Sequence, residues 1–289
     1  MTPADQPTGS DHPAGPDQPT VPAHDPADNH PSLDALRAVA QPAAHMGRYN
    51  AEHWAGALYI RHLSLYATRA LLPTGISPNG VTWLMIVVGV LGAFATPLPG
   101  LVGPLLCALA MQVQILLDCS DGEVARWRQR FSPAGIYLDR IGHYATEAAI
   151  PAAVGLRADG WTLADPLDVG GWTVLGLVVS VVVLMNKAFT DLMHVARAKT
   201  GRPPLEDVAE VARPKGSGLA AARAAFAYLP IFRAFVAIEA SLLVLLAGVV
   251  DVVRGDLGGT QGLLLVMVPL AVVTAAGHLL AVLSSSRLD

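Results

Sequence analysis

The sequence predicts an all-α, polytopic membrane bundle: six transmembrane helices preceded by an interfacial amphipathic helix and a disordered N-terminal tail. Three observations carry this reading. Hydrophobic residues make up 53% of the 289-residue chain and charged residues only 15%, with a mean hydropathy of +0.45, a balance unlike that of ordinary soluble domains. The apolar residues are gathered into blocks, and a charge-free block of roughly 18 residues is long enough to cross a bilayer. Lys and Arg are shared unevenly between alternate connecting segments, the bias that sets orientation in a membrane.

Residues 1–45 are dense in Pro, Asp, His and Thr with few aromatic or β-branched residues, so they are expected to form a disordered cytoplasmic tail. No basic region followed by an apolar stretch opens it, which argues against a signal peptide. His24 and His30 are read as solvated residues of this tail. From 49 to 72, Trp54, Leu58, Ile60, Leu63, Leu65 and Tyr66 alternate with Arg61, His62 and Arg69, the mixture of a juxtamembrane helix lying in the interface. The turn Ser77-Pro78-Asn79-Gly80 interrupts the chain before a six-helix transmembrane domain over 81–285.

The expected crossings run over 81–98, 101–117, 135–156, 171 to beyond Phe189, about 225–250 and about 262–283, with a loop over 157–170. Arg126, Arg128, Arg130, Arg197, Lys199 and Lys215 fall on one side of this topology, while the other side has only Arg157 and Arg254, each accompanied by Asp. That asymmetry predicts an inner (plasma) membrane protein with both termini and the end of the second helix cytoplasmic. The net charge of −4 comes largely from the tail, and no basic nucleic-acid footprint is present. Cys107 and Cys119 fit neither a disulfide framework nor a CxxC metal site and read as small buried residues.

At the inner end of the second helix the chain reads Asp118-Cys-Ser-Asp121-Gly122-Glu-Val-Ala125-Arg126, followed after eight residues by Gly135-Ile-Tyr-Leu-Asp139-Arg-Ile-Gly-His143. Helical periodicity puts Asp118, Asp121, Gly122 and Ala125 on one face, and Gly135, Asp139 and His143 on one face of the next helix. Three carboxylates at a membrane boundary repel one another unless a cation neutralises them. A pair of divalent ions is the simplest remedy, and hard oxygen ligands without thiolates favour Mg2+ or Mn2+. Such ions commonly bridge carboxylates and phosphates, so a phosphate-bearing substrate is expected. Gly122, Ala125 and Gly135 would let it approach the backbone, and Arg126 could meet a diphosphate.

The string resembles the signature of the CDP-alcohol phosphotransferase family, D-x2-D-G-x2-A-R-x8-G-x3-D-x3-D, at every fixed position except the last, where His143 stands for Asp. The resemblance implies two divalent ions held by Asp118, Asp121 and Asp139, contacts from Gly122, Ala125, Arg126 and Gly135 to the CDP part of the donor, release of CMP, and a homodimer. The family's last Asp is the general base and a possible metal ligand, and His143 can serve in either role. Glu147, at i+4 from His143, is expected to orient the imidazole as part of a base relay. Lys187 and Arg197 are candidates for a phosphate on the acceptor or donor lipid, the alternative being a local Lys187–Asp191 pair with an interfacial anchor. Arg233, Glu239 and Gln114 are weaker candidates of the same kind, and His278 reads as a packing residue.

A site at the cytoplasmic boundary suits a soluble nucleotide headgroup on a membrane-soluble tail, so CDP-diacylglycerol is the expected donor among CDP-alcohols. The acceptor is a small alcohol or phosphorylated polyol. Competing readings are an intramembrane prenyltransferase, a cation transporter and a catalytically degenerate scaffold. One compact acidic motif at one end of the bundle argues against the first two.

Overall fold

The computed structural model describes residues 23–42, 56–203, 233–284 and 288. Its elements start where side chains can satisfy the open N–H groups of a first helical turn. Ser32 opens α1 (Leu33–Ala40) by accepting from the Ala35 N–H, Ser77 opens α3 (Pro78–Phe94) by accepting from Gly80, and Ser132 opens α5 (Pro133–Ala158) by accepting from Gly135. In α3 and α5 a proline occupies the first turn, where no N–H is needed. Between them lie α2 (Arg61–Leu71), continuing a short π turn, and α4 (Val102–Arg128). The remaining helices are α6 (Gly171–Lys199), α7 (Ala237–Arg254) and α8 (Gly258–Leu283).

The expected tail is not uniformly without structure. Residues 33–40 form α1, and Leu36, Val39 and Ala40 are buried in a cluster with Leu65, Val81, Val124 and Trp127. Composition over the whole segment hid this short apolar stripe among prolines and aspartates. Residues 1–22 and 43–55, and with them most of the tail and the start of the interfacial helix, lie outside the described residues, as does 204–232, which includes the expected start of the fifth crossing.

Among the described residues, three helices, α4, α6 and α8, are long and apolar enough to cross a membrane, and a fourth span arises only if the segments Leu58–Thr74 and Pro78–Phe94, bent by 119°, are taken as one. The other expected crossings fall short for specific reasons. Helix α3 has 17 residues, α5 carries Asp139, Arg140, Glu147 and Arg157, and α7 carries Glu239, Asp251 and Arg254. Leu91, Leu109, Val113, Val181, Val266 and Val272 are exposed on the outside of the bundle, the inversion of a soluble surface that lipid requires.

Helix α3 packs against both α4 and α5, which make few direct backbone contacts with each other. Small residues permit the wedge. A Cβ on Gly92 would stand 2.2 Å from Ala110 Cβ of α4, and one on Gly142 would stand 2.2 Å from the Met85 methyl. Met111, Ile150, Val179, Leu264 and Met267 form the core shared by α4, α5, α6 and α8.

At the end away from the acidic motif, Arg157 is not in a loop but buried in α5, with its guanidinium 3.2 Å from Asp251 Oδ2. It also donates to the carbonyls of Thr96, Leu98 and Gly100 and to Thr260 Oγ1. The turn at 96–100, α7 and α8 thus meet on this one side chain of α5, and each charge is partnered, as burial demands.

Candidate active site

Helix α4 ends at Gln129, whose φ of 51° and ψ of 38° are left-handed, and the Arg130 N–H closes the end by donating to the Ala125 carbonyl at 2.9 Å. Four residues later α5 begins, so the two faces predicted from periodicity are turned toward one another without the helices touching along their length. Asp118 Oδ1 and Asp139 Oδ1 lie 3.0 and 3.5 Å from His143 Nε2. One ligand atom from each of Asp118, Asp139 and His143 can be chosen so that all lie within 4.8 Å of one another.

Asp121, the fourth expected ligand, stands outside this group. Its Oδ2 accepts a 2.6 Å hydrogen bond from Thr82 Oγ1 of α3, which fixes the carboxylate on the wall of the neighbouring cavity. That cavity has a volume of about 420 Å³ and is lined by Thr82, Asp121, Gly122, Ala125, Gly135 and Asp139, together with Asn79 and the turn Arg130–Pro133. The small residues thus lie in the cavity wall. At Gly135 an added Cβ would come within 3.0 Å of Asn79 Oδ1, so a larger side chain would close the space between α3 and α5.

Arg126 is positioned differently from the expectation of a free phosphate ligand. It stands beside Gly122 and outside the cavity lining, with Nη1 3.2 Å from where a Cβ on that glycine would be, and its Nε donates to the Ala40 carbonyl at 2.5 Å. Glu147 is buried, and its hydrogen-bonding partner among the described residues is Lys187, 2.8 Å away. The structure thus joins Glu147 to Lys187, where sequence spacing paired Glu147 with His143 and Lys187 with Asp191. Asp191 accepts instead from the Tyr144 hydroxyl at 2.6 Å and lies 3.7 Å from Arg140. Arg197 donates to the Pro203 carbonyl at the end of its own helix. Neither Lys187 nor Arg197 lines the cavity. His278 packs as expected, hydrogen-bonded to Asn186 Oδ1 at 2.9 Å with Phe189 edge-on to its ring.

Sequence reasoning missed Thr82, Arg130 and Ser132 as wall residues. Arg130 and Ser132 lie in the eight-residue gap of the motif, where helical periodicity gives no information. Thr82 lies one turn after Pro78 on the helix entered by the Ser77-Pro78-Asn79 turn, and that turn was the available signal.

The donor set suits a divalent cation. Two carboxylates and an imidazole within reach of one point need positive charge between them, and carboxylate oxygens favour Mg2+ or Mn2+, with the imidazole more at home on Mn2+ than on Mg2+. The fold and site thus combine helices apolar enough to cross a membrane with an acidic cluster beside a cavity walled by small residues. The model of the CDP-alcohol phosphatidyltransferase family matches residues 75–253, more than half of the chain, and the chain belongs to this transferase family. No match was found among curated proteins.

Proposed function

We propose that this protein transfers a phosphatidyl group from CDP-diacylglycerol to a small alcohol or phosphorylated polyol, releasing CMP, in phospholipid biosynthesis. The observation that carries the reading is the convergence of Asp118, Asp139 and His143 beside a cavity walled by Asp121 and the small residues Gly122, Ala125 and Gly135. Asp118, Asp121 and Asp139 would hold the divalent ions, which supply charge neutralisation on the diphosphate. Gly122, Ala125 and Gly135 leave room for the cytidine part, and Arg126 faces the diphosphate from beside Gly122.

In the proposed transfer the acceptor oxygen bonds to the phosphorus that carries the diacylglycerol, the bond from that phosphorus to the CMP oxygen breaks, and CMP leaves. His143 takes the acceptor's proton at Nε2, where Asp118 and Asp139 offset the charge of the resulting imidazolium. One nitrogen cannot ligate an ion and accept a proton together, so this reading assigns Nε2 to the base role. Glu147 and Lys187 support α5 and α6 from beneath, and a phosphate role for Lys187 requires that the pair open.

Six crossings remain the topology we propose. Of the charges that set α5 and α7 apart from the more apolar helices, Glu147, Arg157 and Asp251 are paired inside the bundle, by Lys187 and by each other. The basic residues Arg126, Arg128 and Arg130 at the site end favour a cytoplasmic active site, in a homodimer as the family implies. Purified protein incubated with CDP-diacylglycerol, Mg2+ or Mn2+ and a panel of polyols and polyol phosphates tests the proposal through CMP release. Release with one acceptor class supports it, whereas none with any acceptor or cation would leave the chain a scaffold of the same fold.

A further inference from the structure

Segment 24–42 is fastened to the motif helix by side chains that the signature leaves undefined. Glu123, directly after Gly122, is fully buried. Its carboxylate accepts from Gln41 Nε2 at 2.7 Å, Ser64 Oγ at 2.5 Å and Thr68 Oγ1 at 2.6 Å. Gln41 also donates to the Arg61 carbonyl at 2.8 Å, so a single buried carboxylate joins α4, α2 and the residue that follows α1. Upstream, Trp127 Nε1 donates to the Asp28 carbonyl at 2.9 Å, and Arg128 donates to Asn29 Oδ1 and to the Pro26 carbonyl.

The consequence falls on Arg126. The last carbonyls of a helix have no partner within it, and that of Ala40, at the end of α1, is taken by Arg126 Nε. With Nε engaged, the planar guanidinium has a fixed orientation. Nη1 and Nη2 then lie 3.2 and 3.5 Å from the Cβ position of Gly122, a residue of the cavity wall. A free Arg side chain would lose considerable rotamer entropy on binding an anion, and one already held loses less.

We propose that Gln41 and Glu123 are positioning residues for the donor's diphosphate: by fixing α1 against the motif helix they hold the Ala40 carbonyl on Arg126 and aim its terminal nitrogens past Gly122. The inference rests on the phosphotransferase reading above. It gives the N-terminal segment a part in substrate recognition although none of its residues lines the cavity.

The test is equilibrium binding of CDP, with Mn2+ present, to the purified full-length protein and to Gln41→Ala, Arg126→Ala and the double variant, each checked by thermal melt. Gln41→Ala is expected to weaken CDP binding by about fivefold to tenfold, the scale of one ordinary hydrogen bond. In the Arg126→Ala background the same change is expected to have no further effect on CDP. Arg126→Lys, which keeps the charge but has no equivalent of the Nε donor, is expected to lose affinity as Gln41→Ala does. Should Gln41→Ala fail to fold, Gln41→Glu, which sets a second carboxylate against Glu123, replaces it with the same expectation. Unchanged CDP affinity on breaking the Gln41–Glu123 contact, or an equal loss with and without Arg126, overturns the inference. Wild-type protein that binds no CDP overturns the phosphotransferase reading instead.

Discussion

His143 Nε2 lies 3.0 Å from Asp118 Oδ1, so one side chain of α5 is bound to a carboxylate of α4. The contact joins α5 to α4 where both motif faces meet, and the proposed transfer gives His143 the part of general base there. His143→Ala is therefore expected to lower CMP release by roughly 10²–10⁴-fold, the contribution of a positioned general base. His143→Asp, which restores the signature, is expected to retain measurable turnover. A His143→Ala rate near wild type would remove the base role.

The hydrogen bond from Thr82 Oγ1 to Asp121 Oδ2 fixes that carboxylate on the cavity wall. Thr82→Val keeps the shape but deletes the donor, at a cost of about 1.5–3 kcal/mol for a bond to a charged group. The expected outcome is a higher cation concentration for half-maximal activity, together with a melting temperature lowered by a few degrees. An unchanged cation requirement would detach Thr82 from the site.

Arg157 and Asp251 are both buried, so removing one leaves the other as an unpaired charge. Arg157→Ala and Asp251→Ala are each expected to destabilise the protein by about 3–5 kcal/mol, read as a lower melting temperature or loss of folded protein. Because the pair sits at the far end of the bundle, whatever protein folds is expected to keep its cation requirement.

Asp159, in the loop after α5, supplies the N-terminal cap that Gly170 cannot. Its carboxylate accepts from the Gly170, Trp172 and Thr173 N–H groups and from the Thr173 hydroxyl. Burial pushes the carboxyl up, but the bonds from Thr173, Gly170 and Trp172 outweigh it and hold the group below the usual carboxylate range. A depressed folded value means that the stabilisation is complete above the unfolded value of about 3.9 and is lost as pH falls through the folded one. Thermal melts from pH 6 downward, run at about unit steps, are expected to drop below about pH 4 less steeply in Asp159→Asn than in wild type. Equal slopes would contradict the assignment.

The acidic face was legible because charges inside apolar runs are rare and helical spacing places them. Asp118, Asp139 and His143 come together, while Asp121, on the same face of α4 by spacing, stands outside the group. Partners distant in sequence were not legible. Arg157 and Asp251 are 94 residues apart, and Arg157 read as a loop charge until the fold joined them. Glu147 followed the same rule: i+4 spacing pointed to His143, but Lys187 from the next helix reaches it first. Helix α1 was hidden because Leu36, Val39 and Ala40 have meaning only against Val124 and Trp127. The wedge of α3 between α4 and α5 depends on close approaches at Gly92 and Gly142, which apolar runs do not reveal.

Titration of the purified protein with Mn2+, followed by the loss of the free-ion paramagnetic resonance signal, tests the shared cation site most directly. Wild-type protein is expected to bind Mn2+. Asp118→Asn and Asp139→Asn are expected to weaken binding by more than the roughly tenfold that outer partners contribute, and His143→Ala is expected to bind Mn2+ while losing turnover. Asparagine variants that bind Mn2+ as wild type does would contradict the account.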